Sequence, residues 1–123
     1  MALSDAQLTQ YLDEGYLAVN DLLPVAAFDL LIAELEANID AQARELTAQA
    51  KLEDLGVGLP YSQRLAHLCA GVTDDESRDE LWKVGHGKHH RTAGMFAIWT
   101  HPALVDVAER VVGPEILAHP QYN

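Results

Sequence analysis

Apolar residues recur at helical spacing over most of this chain, and polar caps punctuate them. Ser4 and Gln7 stand at capping-box spacing with Ser4 as N-cap, and Leu3 and Leu8 are placed as the hydrophobic staple. Leu8, Tyr11 and Leu12 mark one face, and Gly15 suits the left-handed residue that closes a helix. Tyr16-Leu17-Ala18-Val19 then predicts a short strand, and Asn20-Asp21 a turn.

Pro24 can open a second helix, since proline is tolerated in the first turn. Phe28, Leu31, Leu35, Ile39, Leu46 and Ala50 recur at steps of three and four, with one heptad gap that contains Ala43. That is a core-facing stripe, with Glu34, Asp40, Glu45 and Lys51 off it, and it predicts a helix reaching about Lys51 or Leu55. Gly56-Val57-Gly58-Leu59-Pro60 must break it. A short helix follows from Ser62 to Ala70. Thr73 and Glu76 form a second capping-box pattern, opening a helix that runs to about Trp82. Gly85-His86-Gly87 reads as loop, and the segment from Ala93 to Trp99 as helix.

Pro102 fits the first position of the last helix, with His101 as an extended, cap-like residue before it. Leu104, Val107, Ala108 and Val111 form its apolar stripe, and Gly113-Pro114 stops it. Residues 116–122 predict a second strand, at an edge or bulge because of Pro120. The expectation is a single unit over residues 1–123, α+β in class, with about five helices and two short strands.

Composition narrows the function. The chain has 123 residues, is 49% hydrophobic, and carries 19 acidic against 8 basic side chains for a formal charge of -11. That argues against nucleic acid or an anionic membrane as partner, since both require a basic surface. Cys69 is the one cysteine, so no disulfide forms within the chain, which suits a reducing compartment. No signal peptide opens the sequence and no apolar run reaches membrane-spanning length, so the cytoplasm is the expected location.

The segment Lys83-Val84-Gly85-His86-Gly87-Lys88-His89-His90-Arg91 stands apart chemically. It holds three of the 8 basic side chains and three of the 6 histidines, and no Asp or Glu occurs between Glu80 and Asp106. Such an island can meet a small carboxylate or phosphate through charge-assisted hydrogen bonds, or it can be a solvated loop balancing nearby acid. Its histidines lack a neighbouring carboxylate or cysteine that would complete a metal site. Cys69 reads as a buried, inert thiol, and Asp74-Asp75-Glu76 as a helix start rather than paired catalytic acids. Trp82, Phe96 and Trp99 read as core.

Leu3-Ser4-Asp5-Ala6-Gln7-Leu8 through Asp13-Glu14-Gly15-Tyr16-Leu17-Ala18-Val19, the long helix from Pro24, and His101-Pro102-Ala103-Leu104 through Val111-Val112-Gly113-Pro114-Glu115-Ile116 together resemble the opening part of the phytanoyl-CoA dioxygenase family. The resemblance implies the mostly helical N-terminal portion of a double-stranded β-helix oxygenase dependent on iron(II) and 2-oxoglutarate, which hydroxylates a small organic substrate. Family members bind iron with a His-x-Asp pair and a distant His, a facial triad.

This sequence departs from that pattern. His67, His86, His89, His90, His101 and His119 are followed two positions on by Cys69, Lys88, Arg91, Thr92, Ala103 and Gln121, never by Asp. By the resemblance, the iron ligands and the arginine for 2-oxoglutarate fall beyond Asn123. No catalytic or metal-binding residue is therefore assigned, and the chain alone is expected to be inactive and to hold no cofactor tightly. The resemblance places His86, Lys88 and Tyr122 at the edge of a 2-oxoglutarate pocket. Exposed strand edges would permit self-association. The alternative expectation is a small acidic helical interaction module without catalysis.

Overall fold

In the computed structural model, which describes residues 3–85 and 91–118, every regular element is helical. α1 spans Asp5–Glu14, a short 3-10 turn Val25–Phe28, α2 Asp29–Ala48, α3 Tyr61–Gly71, α4 Asp75–Gly85, α5 Ala93–Trp99 and α6 Pro102–Val112. No strand occurs among the described residues, so the expectation of an α+β chain carrying the first strands of a double-stranded β-helix is overturned. The reason is the absence of a partner: a strand exists through its ladder bonds, and the described residues of the two candidate segments meet none. Residues 16–19 are extended in pattern only, with Leu17 and Val19 half-buried and Tyr16 and Ala18 exposed. Residues 116–118 are irregular and exposed, and the rest of that second candidate strand lies outside the described residues.

The caps explain where helices start. Ser4 Oγ accepts the Gln7 N–H at 3.2 Å while the Gln7 side chain accepts the Ser4 N–H at 3.0 Å, completing the capping box. Gly15 closes α1 at φ 79°, the left-handed region. The second capping box is not the one the spacing suggests. Asp74, rather than Thr73, caps α4: its Oδ1 accepts the Ser77 N–H at 2.9 Å and its Oδ2 accepts the Ser77 hydroxyl, also at 2.9 Å. Ser77 is fully buried, so this local pairing removes the cost of enclosing a hydroxyl in the core.

α2 is the spine. Leu35, Ile39, Ala43 and Leu46 are buried, so Ala43 fills the heptad gap in the stripe. Ile39, Ala43 and Leu46 meet Leu52, Leu68, Val72 and Leu81 in one cluster, which joins α2 to α3 and α4. Each such leucine or isoleucine gains roughly 1.5–3 kcal/mol on leaving water. α5 crosses the front half of α2, where its Gly94 backbone N–H donates to Glu34 Oε2 at 2.9 Å. α6 packs on α5, and Arg110 on α6 pairs with Asp5 on α1. Neither α1 nor α6 contains a fully buried residue.

α2 ends earlier than its stripe implies, at Ala48, because the chain turns left-handed at Ala50 with φ 58°. The Ala50 N–H donates to the Thr47 carbonyl at 3.0 Å and the Lys51 N–H to the Leu46 carbonyl at 2.9 Å, the two bonds of a Schellman cap. Ala50 is therefore exposed rather than part of the core face. An L-residue in this region costs about 1 kcal/mol relative to glycine. Ala50→Gly is expected to raise stability by about 1 kcal/mol, less the entropy glycine adds to the unfolded chain. Thermal unfolding checks this, and a lower midpoint would contradict it.

Pro24 caps the 3-10 turn instead of opening α2 directly, and α4 runs on to Gly85, past Trp82. Gly85 is thus the end of a helix and not loop. The aromatic residues expected in the core lie outward, with Trp82 57% and Phe96 68% exposed, and Trp99 is 38% exposed. On α4 the inward position belongs to Leu81, which turns its neighbour Trp82 to the surface.

Candidate functional site

His86 and Lys88, the two candidate positions in the basic island, lie outside the described residues, as do His89 and His90. Tyr122 lies outside them as well. The flanks of the island are described and are both anchored. α4 reaches Gly85 with its Leu81 buried against α2 and α3. On the other side Thr92 caps α5, its Oγ1 accepting the Met95 N–H at 3.3 Å, and Gly94 fixes that helix to α2.

The densest polar cluster in the described residues is one the sequence did not single out. On α2, Asp40 accepts from Arg44 Nε at 2.7 Å and from Arg64 Nη2 of α3 at 2.6 Å. Arg64 also donates to the Leu55 carbonyl, from Nε at 3.2 Å and from Nη2 at 3.1 Å. One turn along α3, His67 Nε2 lies 2.9 Å from Asp54 Oδ2, while Asp54 Oδ1 accepts the Gly56 N–H at 2.9 Å. Arg64 and His67 share a helix face and together fasten the connection between α2 and α3. The signals in sequence were partial. Asp40 and Arg44 stand at i,i+4 and Arg64 and His67 at i,i+3, but nothing local pairs either α3 residue with Asp40 or Asp54.

Three carboxyls are held below their usual range. For Asp40 the causes are hydrogen bonds from Arg64 and then Arg44. For Asp54 they are the Gly56 N–H and then His67, and for Asp74 the backbone N–H and then the hydroxyl of Ser77. A carboxyl whose folded pKa is depressed stabilises the fold above its unfolded pKa and loses that contribution as pH falls through the folded value. Stability is expected to decline from about the unperturbed value of 3.8 downward. An Asp40→Asn, Asp54→Asn, Asp74→Asn triple variant should be less stable at neutral pH and show a flatter decline in acid. Thermal midpoints measured from pH 7 to pH 3 decide it; parallel curves would contradict the assignment.

Cys69 is half-buried against the main cluster, and burial pushes its thiol up, with Arg78 opposing. That disfavours the nucleophilic thiolate. His67 and Cys69, two apart on α3, serve different surroundings: His67 meets Asp54 and Cys69 meets the core. Burial, then the nearby Glu36, raises the Tyr61 hydroxyl above its ordinary value.

The described residues bring no iron-ligand set together. Among them no group of three or more His, Cys, Asp and Glu side chains is placed to hold a metal ion. His67 is engaged with Asp54, and His101 Nδ1 caps α6 by accepting the Ala103 N–H at 3.3 Å. Arg44, Arg64, Arg78 and Arg110, any of which could meet a dicarboxylate, each already pair with an aspartate of the chain.

An open cleft of 380 Å³ lies between α2 and α4, lined by Asn38, Ala41, Gln42, Glu45 and Val84. Gln42 of its lining donates to Glu80 of α4 at 3.2 Å. No helix among the described residues is long and apolar enough to cross a membrane. No family model, curated protein or solved structure matches the chain.

Proposed function

We propose that this chain is the helical N-terminal portion of an iron(II)- and 2-oxoglutarate-dependent oxygenase similar to the phytanoyl-CoA dioxygenase family, acting on a small organic substrate. The observation that supports this reading is that the residues carrying the resemblance in its two end segments fall at helix caps. The Ser4–Gly15 and His101–Gly113 motifs lie about a hundred residues apart in sequence, and both fold as capped helices, with an exposed Arg110–Asp5 ion pair between them. Their punctuation falls at the helix boundaries: Ser4 and His101 are N-caps, and Gly15 and Gly113 are C-caps with positive φ. In this reading the chain contributes a scaffold, and the iron ligands belong to another part of the protein. The compartment is proposed to be the cytoplasm.

Incubation of the 123-residue chain with iron(II), ascorbate and 2-oxoglutarate in air should release no succinate above a protein-free control. The reading frame downstream of codon 123 should encode His-x-Asp and a later His, and the longer product should release succinate. Succinate from the chain alone, or a downstream frame without those ligands, would overturn the proposal.

The cluster around Ile39, Leu46, Leu68 and Leu81, closed among α2, α3 and α4, supports a second reading as an acidic helical interaction module. A stop codon directly after codon 123, with the chain eluting as a stable monomer on size-exclusion chromatography, would favour that reading over the first.

A further inference from the structure

We draw no further inference here: the strongest candidate, the exposed apolar strip that Val112, Ile116 and Leu117 carry from the end of α6 onward, has nothing in the structure to show what covers it.

Discussion

Replacing Gly94 with alanine is expected to destabilise the protein by about 3 kcal/mol, the upper end of the usual cost of overpacking. A Cβ at this position would lie 2.5 Å from Leu31 Cα and 2.6 Å from both Leu31 N and Glu34 Oε2. Two of those atoms are α2 backbone and cannot swing aside. The α5 helix must therefore lift off α2, and lifting breaks the bond between the Gly94 N–H and Glu34. That bond is charge-assisted, and leaving a half-buried carboxylate without its donor adds to the loss. Gly71→Ala is the control. Its Cβ would meet only the end of the buried Leu52 side chain, at 3.2 Å, a contact that a shift of a few tenths of an ångström relieves, and alanine favours the helix. Urea unfolding should show a clear drop in midpoint for Gly94→Ala at unchanged m, and little change for Gly71→Ala. A Gly94→Ala midpoint within error of the parent would mean that α5 does not cross α2 this closely.

This crossing marks the limit of what local pattern reveals. Gly94 sits inside an apolar run where glycine looks like a defect, and only the distant Leu31 and Glu34 give it a reason. The helices themselves were legible because their signals are local. Ser4 with Gln7, Pro102 at a first helical position, and the α2 stripe of Leu35, Ile39 and Leu46 each act within a turn or two of chain. The strand expectation fails because Tyr16-Leu17-Ala18-Val19 has the apolar, β-prone composition of a strand but forms no ladder. Such composition reports that the segment has apolar side chains to cover, and Leu17 and Val19 become half-buried without any sheet. The α4 start was missed by one residue for a related reason. Thr73 and Asp74 both suit an N-cap, and the choice falls to Asp74 because Ser77, buried beneath it, needs both carboxylate oxygens.

The polar sites were less legible than the fold. The island at residues 83–91 stood out by charge, a property of composition, whereas the cluster of Asp40, Arg64, Asp54 and His67 exists only once α2 and α3 lie side by side. Its pairs span 24 and 13 residues, beyond the reach of any periodicity. Its chemistry is also spent internally: the arginine neutralises an aspartate and satisfies the Leu55 carbonyl, and the histidine holds a loop. A polar cluster that is satisfied by its own members is expected to rigidify a connection rather than to wait for a ligand.

Leu81→Ala is expected to cost about 3 kcal/mol or more, within the range for truncating a fully buried leucine. The position is sensitive to such a loss because Leu81 is the one apolar side chain of α4 that is fully buried. Six of its eleven residues, in Asp-Glu-Ser-Arg-Asp-Glu-Leu-Trp-Lys-Val-Gly, are charged, and only Ser77 and Leu81 are buried. Ser77 brings no apolar area, so Leu81 is the chief anchor, with half-buried Val84 beside it. For a protein of typical stability, about 5–15 kcal/mol, the deletion removes a substantial share. Two measurements separate loss of this anchor from general softening. Leu81→Met nearly conserves volume and should cost less than about 1.5 kcal/mol. In native-state hydrogen exchange, the α4 amides of Leu81→Ala should lose protection before those in the middle of α2, because the helix opens locally once its anchor is gone. Equal loss across both helices would show instead that α4 and α2 unfold as one unit. Since α4 ends at Gly85, one position before His86, the same variant also tests how far the basic island depends on the helix that Leu81 anchors.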